Sequence, residues 1–301
     1  MDALKVPKFI LFVFYSLPKA KNMFPDVGAK SETIAMSEQD WCGHLNGKQE
    51  IEHWLTENYI NDQGQINLSR RLLFVGDLLK TDGLTRNILE LGGGSSDMSA
   101  FLSAQFKDEY PHMPIFTVSD ISMALIERFF PKVCSFFNVD IARFPKVVSL
   151  GENIPFESDT FDAIIAKSAV HHFESFVDAG RETHRVLKVN GSFIFLNDPI
   201  IKPRFLRRGH DTVSGSHQEL ALGFNCRTYY FWEYIRLGAY FRKILVYVDP
   251  GFSDYFHFQL IPYWGPKSFR ALASRYLLKF ALGRTFLSIF IGLPLIFKFV
   301  K

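Results

Sequence analysis

The feature that most constrains the fold is a regular alternation of strand-like and helix-like segments between residues 86 and 198. Short apolar runs are followed by segments whose apolar positions have helical spacing. The strand candidates are residues 87–91, 115–120, 146–150, 162–167 and 190–198, and the helix candidates between them are residues 95–106, 122–130 and 174–187. Such alternation predicts an α/β fold, with a parallel sheet, right-handed crossovers and helices on both faces.

The first strand candidate leads directly into a glycine-rich turn, ILELGGGSSD at residues 88–97. Glycines let the backbone approach a ligand closely, and the helix that follows presents free N–H groups. The dinucleotide-binding pattern G-x-G-x-x-G fits Gly92 and Gly94, but its last position falls on Asp97, an acid that would repel a pyrophosphate. The turn alone leaves open a dinucleotide site, a site for a different nucleotide-like ligand, and a turn without a ligand.

A second pattern, acid-x-Gly-x-Gly-x-Gly, fits this turn better. Glu90, Gly92 and Gly94 match it, Ser96 is the one departure, and Gly93 is a glycine that the pattern does not require. The pattern is motif I of the class I S-adenosylmethionine-dependent methyltransferases, and the chain resembles that family. The resemblance implies a Rossmann-like fold with a seven-stranded, mostly parallel sheet. It also implies S-adenosylmethionine as the methyl donor and S-adenosylhomocysteine as the product.

Later stretches extend the resemblance to about residue 198. Asp120 ends the second strand, where an acid in this family binds the ribose hydroxyls. Residues 150–173 resemble the stretch that covers the adenine and methionine parts of the cofactor, although Leu150 stands where relatives have aspartate. The cofactor contacts that the resemblance implies are Glu90, Gly92, Gly93, Gly94, Asp120, Ile121, Gly151, Glu152, Lys167 and Ser168.

Three histidines are candidates for the base that removes a proton from the methyl acceptor. The methyl group of a sulfonium is already activated, so the protein has to align the acceptor and, for a hydroxyl or amine, deprotonate it. His171 and His172 follow the fourth strand, and His217 lies in the polar stretch after the fifth. An imidazole can act as a base near neutral pH. A structural histidine, or a solvated loop around His217, remains the alternative.

Both ends of the chain are apolar and basic. Residues 9–18 are flanked by lysines, residues 285–297 carry no charge, and after Asp254 there are seven basic residues and no acid. Neither run reaches the roughly 18–20 residues that a membrane-spanning helix needs. The ends predict docking on an anionic membrane surface. Packing against the sheet or a second copy is the alternative. The first run also resembles a signal peptide but lacks a small-x-small cleavage site.

We divide the chain into an N-terminal basic-aromatic and helical extension (residues 1–85), a methyltransferase domain (86–262) and a basic apolar tail (263–301). The domain has a core at 86–198 and an acceptor region at 199–240. Further predicted elements are helices at 68–79 and 227–240 and strands at 243–249 and 255–261.

The expected function is that of a cytoplasmic methyltransferase at the inner face of the membrane. We expect O-methylation of a glycan, a lipid-linked molecule or an isoprenoid-like acceptor. The three cysteines are far apart, so no metal site or disulfide is predicted, and no nucleic-acid partner is expected. The alternatives are a non-catalytic scaffold of the same fold, an N- or C-methyltransferase of a small molecule, and an NAD-dependent oxidoreductase.

Overall fold

The computed structural model describes residues 51–59, 68–83, 86–107, 113–200, 229–250 and 295–301, and the backbone of residues 10–15. The strands are β1 (Ile10–Tyr15), β2 (Asn87–Leu91), β3 (Ile115–Asp120), β4 (Lys146–Val148), β5 (Phe161–Lys167), β6 (Leu187–Leu196), β7 (Lys243–Val248) and β8 (Leu295–Val300). The α-helices are α1 (Ile51–Tyr59), α2 (Leu68–Thr81), α3 (Asp97–Phe106), α4 (Met123–Phe136), α5 (Phe176–Val186) and α6 (Phe231–Leu237). Short 3-10 helices span Ile141–Arg143, Val170–His172 and Gly238–Tyr240.

All eight strands form one sheet in the order β1-β7-β8-β6-β5-β2-β3-β4. Strands β2 to β6 pair in parallel, whereas β8 runs antiparallel to both β6 and β7, and β1 runs antiparallel to β7. The predicted α/β class with a mostly parallel sheet is confirmed. The sheet has eight strands where seven were expected, because the N-terminal extension adds β1 at one edge.

The order of the parallel strands places a crevice above β2. From β2 the chain moves to β3 on one side, and it later returns to β5 on the other side. Adjacent connections therefore leave the sheet in opposite directions at the carboxyl end of β2. In open α/β sheets this reversal point is where ligands bind.

Apolar layers cover both faces of the sheet. Ile88 of β2 belongs to the layer formed with α1 to α4, and its neighbour Leu89 belongs to the layer formed with α5 and α6. Successive strand residues point to opposite faces, so a strand buried on both sides reads as a continuous apolar run. The structure therefore confirms helices on both faces.

Helix α4 continues past the end expected for it. It runs to Phe136 although Pro131 lies inside it, whereas the sequence predicts an end at residue 130. Proline removes one helical hydrogen bond, but buried Val133 and Cys134 follow it on the core side. Burial of this second apolar turn outweighs the missing bond. The predicted strand at 255–261 and the first residues of the helix predicted at 227–240 lie outside the described residues.

Part of the predicted C-terminal tail is a central strand. Residues 295–300 form β8 between β6 and β7, and Phe297 and Phe299 are at most 1% exposed. Lys298 forms a buried ion pair with Asp82 at the end of α2. Residues 295–300 therefore pack within the sheet, as the alternative to membrane docking predicts, and are not available to enter a membrane. No helix in the described ranges is long and apolar enough to cross a membrane.

Candidate cofactor and acceptor site

The glycine turn joins β2 to α3 through left-handed backbone conformations. Gly92, Gly94 and Ser96 have φ values of +66°, +55° and +51°. A Cβ on Gly92 would lie 2.6 Å from the Cβ of Ala169, so no larger residue fits there. A Cβ on Gly94 would meet no described residue within 4 Å. The backbone at Gly94 therefore faces open space that a ligand can fill.

Gly93 is required by the packing of the turn itself. Its N–H donates to the carbonyl oxygen of Ser119 (2.8 Å), and its carbonyl oxygen accepts from the N–H of Ser96 (2.7 Å). A Cβ on Gly93 would lie 2.4 Å from Oγ of Ser96, which is fully buried. Gly93, which the acid-x-Gly-x-Gly-x-Gly pattern does not require, is therefore restricted by Ser96, whose side chain takes up the space beside it.

Glu90 supports the turn from below. Its side chain is 1% exposed, and Oε2 accepts the N–H of Ser99 in the first turn of α3 (3.3 Å). Burial raises the pKa of Glu90 to about 8, with a smaller contribution from the charge of Asp97. The hydrogen bonds with Ser99 and the charge of Lys167 oppose this rise. Glu90 thus holds the start of α3 beneath the turn.

Asp120 lies at the carboxyl end of β3, facing the glycine turn. Its two carboxylate oxygens accept the N–H groups of Gly94 (2.8 Å) and Ser122 (3.1 Å). Burial raises the pKa of Asp120, and these backbone hydrogen bonds oppose the rise. A carboxylate oxygen can accept more than one hydrogen bond, so Asp120 can also accept from a pair of ribose hydroxyls.

The surroundings of Asp120 fit S-adenosylmethionine. Ile121, Val148 and Leu150 are large apolar residues that are 46%, 50% and 52% exposed. They follow or belong to β3 and β4, on the side of Asp120 away from β2. An exposed apolar surface next to a diol-binding carboxylate suits an adenine base attached to a ribose.

Gly151 and the side chain of Glu152 shape a neighbouring turn. A Cβ on Gly151 would lie 2.7 Å from the ring of Phe173. Oε1 of Glu152 accepts the N–H groups of Glu174 (2.7 Å) and Ser175 (3.1 Å), and burial raises the pKa of Glu152. The turn before α5 is therefore fixed by these two residues. Contact of the Gly151 and Glu152 backbone with the cofactor stays a prediction.

Lys167 and Asp97 form an ion pair beside the turn. Asp97 begins α3 and Lys167 ends β5, and the hydroxyl of Tyr59 also donates to Asp97. Burial would raise the pKa of Asp97, but the charge and hydrogen bonds of Lys167 and Tyr59 outweigh it and lower that pKa. Burial, together with the charge of Asp97, holds the pKa of Tyr59 well above its usual range. The Lys167 ammonium lies 5.4 Å from the ring centroid of Trp54.

His171 forms a dyad with Asp198 at the carboxyl ends of β5 and β6. Nδ1 of His171 lies 2.8 Å from Oδ1 of Asp198, and the same oxygen accepts the backbone N–H of His171 (2.9 Å). Both residues are buried, at 8% and 5% exposure. A buried carboxylate that binds Nδ1 fixes the ring orientation and the tautomer of a histidine. The dyad has the arrangement of a general base and the group that orients it.

The other two candidate histidines differ from His171. The ring of His172 lies against that of His171, with centroids 4.0 Å apart. His217 lies outside the described residues. No group of three or more His, Cys, Asp or Glu within the described ranges is placed to hold a metal ion.

Asp198 is the residue that the sequence analysis missed. It ends the strand predicted at residues 190–198, as Asp120 ends the strand predicted at 115–120, so the signal that identified Asp120 was also present here. Trp54, Tyr59 and Arg71 also reach the site from the N-terminal extension. Nothing in the sequence near those three residues indicates what they contact.

Comparisons with known proteins agree with this geometry. A family model described as a methyltransferase domain matches residues 89–195. The ubiquinone/menaquinone biosynthesis C-methyltransferase UbiE of Rickettsia bellii is 28% identical over 127 residues, which cover 41% of this chain and 49% of the relative. The chain therefore spans about half the length of the curated relatives that it matches.

Two solved structures are similar in fold. Phosphoethanolamine N-methyltransferase 2 of Haemonchus contortus, in complex with S-adenosylmethionine, has a TM-score of 0.52 and 18% identity, covering 88% of this chain and 60% of that one. A geranyl diphosphate methyltransferase, in complex with geranyl diphosphate and sinefungin, has a TM-score of 0.50 and 18% identity, covering 77% and 78%. The family model identifies residues 89–195 as a methyltransferase domain of the S-adenosylmethionine-dependent class I type, and the strand order and the two solved structures show the fold of that class.

Proposed function

We propose that this chain transfers a methyl group from S-adenosylmethionine to a hydroxyl oxygen of a lipid-linked or isoprenoid-like acceptor, with His171 as the general base. The observation that carries the proposal is the contact of 2.8 Å between Nδ1 of His171 and the buried carboxylate of Asp198. The dyad lies on the β5 and β6 side of the glycine turn. An acceptor held there lies next to the cofactor.

The dyad supplies the proton transfer. Asp198 accepts the Nδ1 proton of His171, which leaves the lone pair on Nε2 free to take a proton. When bound, S-adenosylmethionine supplies an activated methyl group. Nε2 accepts the hydroxyl proton of the acceptor, and the acceptor oxygen becomes the nucleophile. The positive charge that develops on His171 is stabilised by the Asp198 carboxylate.

The class of acceptor is supported by two independent features. The curated relative from Rickettsia bellii is named for ubiquinone and menaquinone biosynthesis, whose products carry isoprenoid chains. In sequence, residues 255–294 carry five basic residues and no acid, which favours an anionic membrane surface where such acceptors lie. We therefore propose that the protein acts at the cytoplasmic face of the membrane. A lipid-linked glycan presented there is the related alternative.

The same base also suits a second candidate, C-methylation of a phenolic ring. The name of the relative from Rickettsia bellii states C-methylation. Removal of a phenol proton places negative charge on the oxygen and on ring carbons, so the acceptor, rather than the base, decides which atom is methylated. The position of the methyl group in the product separates the two candidates.

The test compares His171→Gln and Asp198→Asn with the unaltered protein. Labelled methyl transfer is measured from S-adenosylmethionine to a polyprenylated hydroquinone and to a cell lipid extract, and mass spectrometry locates the methyl group. Loss of a general base typically lowers the rate by about 10²–10⁴-fold. Calorimetry with S-adenosylhomocysteine should show unchanged affinity in both variants. His184→Gln is the matched control, because His184 packs against Phe241.

Three results would contradict the proposal. Full activity of both His171→Gln and Asp198→Asn would show that His171 is not the general base. Full activity of His171→Gln with loss in His172→Gln would assign the base to the neighbouring ring. Absence of S-adenosylmethionine and S-adenosylhomocysteine binding by the unaltered protein would favour a non-catalytic scaffold.

A further inference from the structure

We propose that Arg71 and Asn197 set the direction of the Ser168 hydroxyl, so that its proton is donated to the carboxylate of the methionine part of S-adenosylmethionine. Arg71 and Asn197 are positioning residues in this inference, and Ser168 is the residue that touches the cofactor. The inference rests on the proposed cofactor but not on the proposed acceptor or base.

The three residues form a hydrogen-bonded chain at the carboxyl ends of β5 and β6. Arg71 of α2 is 2% exposed, and its Nε lies 2.8 Å from Oδ2 of the fully buried Asp249. Nη1 of Arg71 donates to Oδ1 of Asn197 (3.0 Å). Nδ2 of Asn197 then donates to Oγ of Ser168. The chain runs from the N-terminal extension into the site.

The donors in this chain have only one consistent arrangement. A guanidinium donates and never accepts, so the Asn197 atom that faces Arg71 must be Oδ1. Nδ2 therefore faces Ser168, whose Oγ is an acceptor in this bond. The hydroxyl proton of Ser168 must point elsewhere. In the described part of the chain, Oγ donates to the carbonyl oxygen of Asn197 at 3.4 Å, a long hydrogen bond that a closer anionic acceptor can replace.

The backbone holds both residues in uncommon conformations. Ser168 and Asn197 have φ values of +52° and +64°, in the left-handed backbone region that serine rarely adopts and asparagine adopts more often. The N–H of Ser168 donates to the carbonyl oxygen of Leu196 (3.0 Å), which ties the ends of β5 and β6 together. Strained positions of this kind persist where the surrounding structure fixes them, and they cluster at ligand sites.

The position of Ser168 in the sheet indicates which ligand group it faces. Asp120 on β3 suits the ribose and the apolar side chains beyond it suit adenine, so the methionine part extends the other way, over β2 towards β5. Ser168 follows β5, and Ala169 packs against Gly92 of the turn. The Lys167 ammonium is already paired with Asp97. The methionine carboxylate is the anionic group of the cofactor, and a hydroxyl donor at this end matches it.

The experiment measures binding by calorimetry for Ser168→Ala and Asn197→Asp. An aspartate at 197 would accept from both Arg71 and Ser168, so the hydroxyl proton would turn away from the ligand. Each variant should bind S-adenosylmethionine about tenfold more weakly, as expected for a lost hydrogen bond to a charged group. Neither should change the affinity for decarboxylated S-adenosylmethionine. The double variant should lose no more than either single variant, because both remove the same bond.

Asn190→Asp is the matched control. Asn190 also has a left-handed conformation (φ +66°) and accepts a hydrogen bond from an arginine, Arg242, but it lies towards the opposite end of β6 from Asn197. The affinity of the Asn190→Asp variant for S-adenosylmethionine should equal that of the unaltered protein. Thermal melting shows whether each variant is folded. If Asn197→Asp does not fold, Ser168→Ala alone tests whether the Ser168 hydroxyl binds the cofactor.

Several outcomes would overturn the inference. Equal affinity of Ser168→Ala and the unaltered protein would show that the hydroxyl does not bind the cofactor. An equal loss with decarboxylated S-adenosylmethionine would place the bond on a different group. A further loss in the double variant would mean that the charge at 197 acts by repulsion. If the unaltered protein binds no S-adenosylmethionine, the proposed function fails together with this inference.

Discussion

Two buried acids beside the glycine turn, Glu90 and Asp97, have pKa values that move in opposite directions. Burial raises the pKa of Glu90 to about 8, whereas the pair with Lys167 lowers the pKa of Asp97 despite equal burial. A buried carboxyl group with no cation beside it avoids the desolvation cost of its charged form by remaining protonated. At neutral pH the turn therefore carries one negative charge from these two acids, and Lys167 balances it.

The raised pKa of Glu90 predicts a pH dependence of stability. An unfolded glutamate titrates near 4.5, so between pH 4.5 and about 8 folding takes up a proton. The stability that Glu90 contributes is complete below pH 4.5 and is lost as pH rises to about 8. The slope for one group is at most about 1.4 kcal/mol per pH unit.

Glu90→Gln cannot titrate and should remove this dependence. Relative to the unaltered protein, the free energy of unfolding of Glu90→Gln should increase steadily over that interval, measured by urea unfolding at several pH values. Glu157→Gln, at an exposed position, is the control. A constant difference between Glu90→Gln and the unaltered protein across the interval would contradict the prediction.

At the scale of the element, α1 connects the N-terminal extension to the cofactor site. Tyr59 at its end packs against Phe101 and Phe137, with centroid distances of 5.4 and 4.9 Å, and its hydroxyl binds Asp97. The helix therefore closes one side of the Lys167–Asp97 pair. Its contribution is polar as well as apolar.

Tyr59→Phe should destabilise the protein by about 1.5–3 kcal/mol, the usual scale for a hydrogen bond to a buried charge. Urea unfolding measures the difference. The matched comparison is Tyr229→Phe, which removes a bond of 3.3 Å to the neutral carbonyl oxygen of Phe173. Its expected loss is smaller, about 0.5–1.5 kcal/mol. An equal loss in the two variants would show that the charge of Asp97 does not matter.

The sequence predicts the local elements well and the distant contacts poorly. The strand, the glycine turn and the first turn of α3 are consecutive, so Glu90, Gly92 and Asp120 can be identified from spacing. Asp198 carried the same signal and is predictable in principle. Tyr59 and Asn197 are different, because their partners lie far along the chain and no local pattern specifies a buried hydrogen bond.

At the scale of the whole molecule, the sheet consists of a parallel half and an antiparallel half. The parallel half follows from the alternation of strands and helices, since each crossover constrains its neighbour. The antiparallel half depends on β8, which pairs with strands from two distant parts of the chain. A six-residue segment, apolar except for Lys298, does not specify such partners, which is why the sequence analysis assigns residues 295–300 to a tail.

Removal of residues 295–301 should abolish the native fold. The deletion opens a gap between β6 and β7, exposes both apolar layers and leaves Asp82 without Lys298. We expect loss of the near-ultraviolet circular dichroism signal and of cooperative unfolding. Lys301→Met removes the bonds of the ammonium to the exposed Asp159 and to the carbonyl oxygen of Leu187; it is the control and should retain the circular dichroism signal and cooperative unfolding. A truncated protein that unfolds cooperatively would contradict this prediction.

The position of β8 within the sheet determines how membrane association can be tested. A deletion of residues 285–301 removes β8 and reports on folding rather than on binding. Charge reversal at Lys267, Arg270 and Arg275 leaves β8 intact and tests whether the protein sediments with anionic vesicles.

The position of β8 also sets an order of events during synthesis. Roughly a hundred residues separate the end of β6 from the start of β8, and ribosomes add about 5–20 residues per second. For about 5–20 seconds the edge of β6 that later pairs with β8 is therefore unpaired. Phe193 and Phe195 belong to this strand. An exposed apolar strand edge is a template for aggregation. The nascent chain is therefore expected to be most prone to aggregation during this period.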